Sequence, residues 1–357
     1  MVGRSRSDAS TATTATSQEQ SARGAAITYN SSIMTDEINP EGDPRPPEPD
    51  EFDFDLEHAL CSVVSVRARI PEDAMTANLL GTERAGHGVT INEHGLVLTI
   101  GYLITEAESV WLVDHNDRTL PGHVLAYDQE TGLGLIQALQ SLDVPALPLG
   151  DSASLPQGTP IIFAGHGGRR HAVAARIILK REFAGYWEYL LDEAIFTAPA
   201  HPNWGGAAVI DPAGRLCGIG SLLVQHVSKD REAYNANMAV PIDLLPPILD
   251  DLVNFGQVNK APRPWLGMMT TEYEGHLVVA GVVSGGPAEE AGIEVGDVVL
   301  EIDGLPVGDL ASMFKRVWSL GEAGIEVPLT IYRKDSTREF VVESASRQDR
   351  LKRPSVH

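Results

Sequence analysis

Short apolar runs follow one another along residues 59–224, and this succession is the feature that most constrains the fold. The runs include "CSVVSVRARI", "GLVLTIGYLI", "GLGLIQAL", "PIIFAG", "YLLDEAIFTA" and "RLCGIGSLLV". Gly, Asn, Asp or Pro residues bound them, which is typical of strands that end in tight turns. No long amphipathic helix pattern occurs before "VPIDLLPPILDDLVNFGQV", which ends near Phe255 and Gly256. The pattern predicts an antiparallel barrel or sandwich and argues against a doubly wound sheet.

The C-terminal block has a different pattern and follows the proline-bearing linker "NKAPRPW". Its strand-like runs are "WLGMMT", "HLVVAGVV", "DVVLEIDG" and "VPLTIYRK", and its helix-like runs are "PAEEAG" and "LASMFKRVWSLG". Such a mixture within fewer than a hundred residues predicts one compact α+β module.

The N-terminal region, residues 1–56, is rich in Ser, Thr, Ala, Pro and acids and has no sustained periodicity. This composition predicts disorder. The domains expected are therefore a disordered acidic region (1–56), the β domain (57–258), the α+β module (259–345) and a C-terminal tail (346–357).

The net charge is -22, with 49 acidic against 27 basic Lys and Arg residues. This balance argues against a nucleic-acid partner, because phosphate binding needs clustered Lys and Arg. No run approaches the roughly eighteen apolar residues of a membrane span, and the N-terminus lacks the apolar core of a secretory signal. We therefore expect a cytoplasmic protein. Cys61 and Cys217 lie in apolar runs, where buried free thiols are expected and a single bridge is the alternative.

Four segments of the β domain resemble the HtrA family of trypsin-like serine proteases, in the order found in that family. "GHGVTINEHGLVLTIGYLI" is similar to the G-S-G-V stretch and the T-N-N-H-V strand end. "YDQETGLGLIQA" resembles D-x-x-x-D-I-A-L-I, and "LPLGDSASLPQGTPIIFAGHGG" resembles the element ending in A-I-G-N-P. "NWGGAAVIDPAGRLCGIGS" resembles N-S-G-G-A-L and the hairpin after it. The resemblance implies a mainly β fold, a trypsin-like double barrel followed by an α+β PDZ domain.

The resemblance also implies positions for the catalytic groups, and each of these positions holds another residue. The histidine position falls on Tyr102, a poor general base at neutral pH. The aspartate position falls on Gly132, and the serine position falls on Trp204, which has no nucleophilic oxygen. The position of the oxyanion-hole glycine falls on Pro202, which has no N–H to donate. We expect no catalytic residues at these positions.

There is little support in the sequence for catalytic residues at other positions. His201 stands near the serine position, and "GHGGRRH" supplies His166 and His171, but loop histidines are more often solvated or hydrogen-bonded in turns. Ser221 in "GIGSLL" lacks the G-x-S-x-G spacing. No H-E-x-x-H, C-x-x-C or P-loop occurs, so no metal or other cofactor is expected.

The aromatic replacements have two interpretations. Tyr102 and Trp204 could fill the space left by the triad, or they could line a cleft that binds peptides without cutting them. The segment "EFAGYWEYLLDE" adds four aromatic residues, for which core or barrel-rim packing is favoured: Phe183, Tyr186, Trp187 and Tyr189.

The C-terminal module resembles a PDZ domain through "RPWLGMM" and "GGPAEEAGIEVGDVVLEIDGLPV". Such domains add an extended peptide as a strand and hold its terminal carboxylate with loop amides. The resemblance implies that this loop and strand are formed by four consecutive residues: Trp265, Leu266, Gly267 and Met268. The helix "LASMFKRVW" would wall the groove. The alternative is a PDZ domain whose groove is occluded by its neighbour.

The leading hypothesis is an HtrA-like pseudoprotease whose PDZ domain binds peptide segments or protein C-termini. It would act as an adaptor, a chaperone-like binder or a regulator of an active HtrA relative. The alternative is a serine endopeptidase of the HtrA family that takes part in protein quality control. The family resemblance also implies a homotrimer, formed through aromatics such as Phe52 and Phe54, although both could equally be linker residues.

Overall fold

The computed structural model describes residues 44–227 and 233–352, together with the two-residue strand Ile27–Thr28 (β1). Six antiparallel strands close into a first barrel in the order β2-β3-β4-β7-β6-β5. These strands are β2 (Val63–Arg69), β3 (Glu83–Thr90), β4 (Leu96–Ile100), β5 (Ser109–Val113), β6 (Thr119–Tyr127) and β7 (Leu133–Ala138).

A seven-stranded sheet in the order β1-β12-β11-β8-β9-β10-β13 forms the second half of the β domain. Its strands after β1 are β8 (Pro160–Ala164), β9 (Ala172–Gly185), β10 (Tyr189–Ala198), β11 (Ala208–Ile210), β12 (Leu216–Val227) and β13 (Ala233–Pro241). An additional pairing between β13 and β12, the neighbour of the end strand β1, closes the six strands from β12 to β13 into a second barrel. The prediction of a double antiparallel β-barrel is confirmed.

The helices are short, as the sequence pattern indicates. They are α1 (Leu56–Leu60), α2 (Ala77–Leu80), α3 (Pro246–Phe255), α4 (Pro287–Glu290) and α5 (Leu310–Ser319). The 3-10 turns are Pro49–Glu51, Gly101–Leu103, Gly168–His171, Ile242–Leu244 and Arg347–Arg350. Helix α3 ends at the predicted position, because Gly256 adopts a φ of 70° and closes the last turn.

The C-terminal domain is a sheet in the order β14-β15-β16-β18-β19, with β17 paired to β16. Its strands are β14 (Met268–Tyr273), β15 (His276–Val282), β16 (Val298–Ile302), β17 (Leu305–Pro306), β18 (Glu326–Arg333) and β19 (Ser336–Glu343). Both predicted helices and all four predicted strands are present. Strand β19 is an addition, which the sequence pattern misses because most of its side chains are exposed.

Helix α5 packs on this sheet with the face that its sequence marks out. Leu310, Met313, Phe314 and Val317 are buried, at the i, i+3, i+4 and i+7 spacing of an amphipathic helix. The side chain of Asp309 caps its N-terminus by accepting a hydrogen bond from the Ser312 N–H at 2.7 Å. Helix α5 therefore packs against the sheet beside the edge strand β14.

Residues 44–56 differ from the predicted disorder. The Arg45 carbonyl accepts a hydrogen bond from the Ala174 N–H at 2.9 Å, which ties this segment to strand β9. The Phe52 and Phe54 rings lie 5.5 Å apart and pack against the barrel core, with Phe54 over Gly214. The other residues of the predicted disordered region, 1–43, lie outside the described residues apart from β1.

The start of the predicted tail is also packed. The Arg350 guanidinium donates to the Gly285 carbonyl at 2.8 Å in the C-terminal domain. The Lys352 N–H donates to the Glu106 carboxylate at 3.0 Å in the first barrel. Residues 346–352 therefore join the two domains.

Cys61 and Cys217 are both free thiols. Among the helices of the described ranges, none has the length and apolar character that crossing a bilayer requires.

Candidate functional site

Tyr102 lies in the groove between the two barrels, in the 3-10 turn that follows β4. Its hydroxyl donates a hydrogen bond to the Ser221 carbonyl of β12 at 2.8 Å. A Cβ placed on Gly205 would stand 2.7 Å from the same hydroxyl oxygen, so Tyr102 lies beside the Trp204 loop. The structure thus brings together Tyr102 and Trp204, and Tyr102 links one barrel to the other.

The phenol of Tyr102 is held in its protonated form. Burial raises its pKa above the ordinary value of 10, and a contact with the Trp204 side chain only partly offsets this shift. A phenol with a raised pKa is ionised in only a minute fraction at neutral pH, so it is a poor acceptor for the proton of a nucleophile.

Trp204 packs into the second barrel. Its partly buried side chain contacts the hydrophobic cluster that contains Phe163 and Cys217. Its carbonyl accepts a hydrogen bond from the Ala207 N–H at 3.1 Å, which fixes the turn. Pro202, two residues earlier, is exposed. The loop therefore holds an indole at the position that the resemblance assigns to the serine.

Gly132 lies next to the turn that carries Tyr102, and its carbonyl accepts a hydrogen bond from the Gly101 N–H at 2.7 Å. Its φ is +76°, and a Cβ there would stand 3.0 Å from the ring of Tyr189. The Tyr189 hydroxyl donates to the Thr131 carbonyl at 2.9 Å. Tyr189 from strand β10 therefore fills the space into which a side chain at position 132 would extend.

The loop histidines form hydrogen bonds with the backbone. His201 is buried; its Nδ1 accepts a hydrogen bond from the Asn203 N–H at 3.0 Å, and its Nε2 lies 3.0 Å from the His171 carbonyl. The Nε2 of His166 lies 2.9 Å from the Asp114 carbonyl. Since a carbonyl only accepts, each Nε2 carries a proton and donates it. His201 and His166 are thus occupied in holding loops.

His87 lies beside these histidines and was not identified from the sequence. Its Nδ1 accepts a hydrogen bond from the His166 N–H at 3.0 Å. Burial lowers its pKa to about 3, and repulsion from His201, His166 and His171 adds to this shift, so the ring is neutral at ordinary pH. Within the described part of the chain, no three His, Cys, Asp or Glu side chains are placed to hold a metal ion.

The loop Trp265–Met268 precedes and begins β14, and it already holds a carboxylate. Glu188, at the turn between β9 and β10, accepts hydrogen bonds from the Leu266 N–H at 3.3 Å and the Gly267 N–H at 3.2 Å. The Met268 amide also interacts with it. Burial raises the pKa of Glu188 to about 7, while Arg347 and the three amides act in the opposite direction.

The aromatic residues around Glu188 pack the hairpin formed by β9 and β10. Trp187 stacks on Tyr189 with ring centroids 5.6 Å apart, and Phe183 makes an edge contact with Tyr189 at 6.3 Å. Tyr186 meets Trp187 at 4.9 Å. These aromatics are recognisable in the sequence, whereas the only sequence signal of Glu188 is an acid between bulky aromatic residues.

Comparison with known families agrees with this architecture. A model of the trypsin-like peptidase domain matches residues 86–219, and a model of the PDZ domain matches residues 264–343. A probable periplasmic serine endoprotease, DegP-like, of Halomonas elongata is 26% identical over 276 residues, covering 72% of this chain and 55% of that protein. The putative serine protease HhoA of Synechocystis is 27% identical over 289 residues, covering 73% of this chain and 70% of that protein.

The chain is of the HtrA type. It joins a trypsin-like peptidase domain to a PDZ domain, as the resemblance implied. It spans 55% of the DegP-like protein of Halomonas elongata and 58% of that of Hahella chejuensis. Solved structures with a similar fold are the HtrA-type protease AlgW with a decapeptide and a serine endoprotease from Yersinia pestis. Each is 21% identical, with a TM-score of 0.48, and each comparison covers 84% of this chain and 98% of the other.

The prediction of a cytoplasmic location is wrong. It was based on the lack of a recognisable signal segment, whereas several of the most similar HtrA-type relatives are named as periplasmic endoproteases.

Proposed function

We propose that this HtrA-type protein binds peptide C-termini through Trp265–Met268 and does not cleave them. It would serve as an adaptor, a chaperone-like binder or a regulator of an active relative. The observation that carries the proposal is the convergence of the Leu266 and Gly267 amides on a carboxylate, here that of Glu188. A loop that binds one carboxylate in this way has the donors that a C-terminal carboxylate needs.

The geometry of the groove between the barrels supports the absence of cleavage. Hydrolysis by a trypsin-like site needs an attacking oxygen, an imidazole to take its proton and a carboxylate to orient that imidazole. Tyr102, Gly132 and Trp204 supply none of these groups. Loss of the serine or the histidine alone lowers turnover by about a millionfold in such enzymes.

A fluorophosphonate probe tests this part of the proposal. We expect no labelling of the purified chain under conditions in which an active HtrA-type protease is labelled stoichiometrically. An unfolded protein substrate incubated with the chain should stay intact. Stoichiometric labelling would refute the proposal.

The alternative function is serine endopeptidase activity in protein quality control, and the names of the relatives favour it. Degradation of an unfolded protein by the purified wild-type chain, free of contaminating proteases, would favour this alternative. The variant Trp204→Ser tests the assignment of the triad positions. We expect no cleavage by this variant, because Tyr102 and Gly132 still provide no base and no group to orient one. Recovery of proteolysis in the single variant would contradict that assignment.

Peptide binding is tested separately with two forms of one peptide. A dye-labelled decapeptide with a free carboxylate should bind the chain, and the same peptide with an amidated C-terminus should bind far more weakly. Equal binding of the two forms would show that the loop does not recognise a carboxylate.

We also propose an exported protein, because the most similar relatives are named as periplasmic. A homotrimer, or association with an active HtrA relative, remains a prediction. Measurement of the molar mass by light scattering tests the trimer. The excess of acidic residues argues against a nucleic-acid partner.

A further inference from the structure

We propose that Glu188 is an internal ligand of the PDZ domain, so that a peptide C-terminus binds only by displacing it. This inference rests on the peptide-binding function proposed above. It goes beyond that function because it assigns a competitor, built into the peptidase domain, to the same loop.

The Glu188 carboxylate occupies the place expected for the terminal carboxylate of a peptide ligand. Its Oε1 lies 3.3 Å from the Leu266 nitrogen and 3.2 Å from the Gly267 nitrogen, and its Oε2 lies 3.4 Å from the Leu266 nitrogen. The Met268 amide also interacts with it. These are the consecutive amides that the resemblance assigns to the terminal carboxylate. Two carboxylates cannot share them.

The chain that leads to Glu188 follows the path expected for a bound peptide. Glu182 and Ala184, at the end of β9, line a small pocket together with Glu272 of β14 and Ala311 of α5. Residues 182–188 therefore run from the far end of β14 toward the loop. A peptide added antiparallel to an edge strand, with its C-terminus in the loop, would run in the same direction.

Further contacts hold the hairpin of β9 and β10 in the groove between β14 and α5. Ala184 is buried in the hydrophobic cluster of the PDZ domain, and Leu190 packs against the same cluster. Glu182 forms an ion pair with Lys315 of α5. The Arg347 guanidinium donates to the Trp187 carbonyl at 3.4 Å.

The neighbouring space gives the hairpin room to leave. A cavity of about 290 Å³ lies between the domains, and Glu188, Trp265 and Arg347 are among the residues that line it. Displacement of Glu188 exchanges one set of hydrogen bonds to the loop for another. The apparent affinity for a peptide is then the intrinsic affinity multiplied by the fraction of molecules whose loop is free.

The experiment compares the wild-type chain with Glu188→Ala and Glu188→Gln. The probe is a dye-labelled decapeptide of alanine and serine that ends in a valine with a free carboxylate, and binding is followed by fluorescence anisotropy. Glu188→Gln keeps the size of the side chain in case Glu188→Ala perturbs the hairpin. Glu193→Gln, an exposed carboxylate of strand β10, is the matched control.

Above pH 7, where the Glu188 carboxylate is ionised, we expect the dissociation constant to fall by about tenfold or more in Glu188→Ala, because a charge-assisted contact no longer competes. The fall should be smaller in Glu188→Gln, because the amide oxygen of Gln still accepts hydrogen bonds from the loop. The control should bind as the wild type does. Equal affinities in all four proteins would overturn the internal ligand and leave peptide binding in place. No binding by any of them would contradict the proposed function itself, and the internal ligand would be refuted with it.

Discussion

The groove between the barrels and the loop of the PDZ domain are both filled by groups of the same chain, but in different ways. In the groove, the positions that the resemblance assigns to the triad hold Tyr102, Gly132 and Trp204, and the Tyr189 ring lies where a side chain at position 132 would extend. In the loop, backbone amides hold a carboxylate of the same chain. The first arrangement is part of the packed core, whereas we propose that a ligand can replace the second.

One hairpin contributes to both sites. Tyr189 covers Gly132 in the first barrel, and the preceding residue, Glu188, reaches the PDZ loop. The Tyr102 hydroxyl joins the barrels through the Ser221 carbonyl. These contacts stabilise the scaffold that presents Glu188. We therefore expect substitutions in the groove to lower the free energy of unfolding strongly. Substitutions that free the PDZ loop from Glu188 should have little effect on it.

The largest effect is expected for Gly132→Asp, which introduces an acid at the position that the resemblance assigns to the aspartate. Its Cβ would lie 3.0 Å from the Tyr189 ring, at a φ of +76° that side chains rarely adopt. We expect a loss of about 2 to 4 kcal/mol in the free energy of unfolding, measured by urea denaturation. The control is Gly275→Asp, where φ is +80° and no atom lies within 4 Å of the added Cβ. Equal losses in the two variants would contradict the packing of Tyr189 over Gly132.

The second prediction concerns pH. The pKa of Glu188 is raised to about 7 in the loop by burial, and a carboxylate released into solvent has its ordinary, lower pKa. Release therefore expels a proton between these values, so raising the pH favours release. We expect the affinity for the free-carboxylate peptide to rise from pH 5 to pH 7, by up to about tenfold per pH unit, and to level off above that.

Other charged groups line the cavity beside Glu188 and could also contribute to the pH dependence of the peptide affinity. They are Asp128, Glu130, Lys260, Arg263, Arg347 and Asp349. The variant Glu188→Gln keeps all of them and removes only the group in the loop. It should bind the peptide with an affinity that changes little across the same range, and an unchanged slope in this variant would assign the titration to another group.

The third prediction tests Tyr102 as a link between the barrels. Tyr102→Phe removes the hydroxyl that donates to the Ser221 carbonyl. We expect a loss of about 1 kcal/mol in the free energy of unfolding. Tyr273→Phe, which changes an exposed tyrosine of β14, should leave stability unchanged. A Tyr102→Phe protein as stable as the wild type would mean that this hydrogen bond contributes nothing to joining the barrels.

The short apolar runs were sufficient for a β domain followed by an α+β module, because their strands bury apolar side chains between turn residues. The double barrel and the PDZ domain followed from the resemblance of the motifs. Helix α5 was predictable for the same reason, from the spacing of Leu310, Met313, Phe314 and Val317. The ordered structure of residues 44–56 was not predictable, because their prolines and acids are typical of disordered segments. Their order comes from distant contacts such as that between Arg45 and Ala174.

The site was predictable only in part. The order of the motifs predicted which residues occupy the triad positions and the peptide-binding loop: Tyr102, Gly132, Trp204 and Trp265–Met268. The contact of Glu188 with Leu266 joins residues 78 positions apart, and no local pattern specifies such a partner. Tyr189 over Gly132 is a similar case, because a glycine shows that a side chain is absent without showing what takes its place.

The smallest effect is expected for Glu182→Gln, which removes the ion pair with Lys315 and leaves the PDZ loop untouched. Exposed ion pairs contribute little, so the peptide affinity should rise by about threefold or less, and high salt should abolish the difference. The control is again Glu193→Gln. If the ion pair and Glu188 hold the same hairpin, Glu182→Gln should add nothing in a Glu188→Ala background, where the loop is already free. A threefold gain that persists in that background would show that Glu182 acts on the peptide directly, and the hairpin would then be held by its apolar contacts and Glu188 alone.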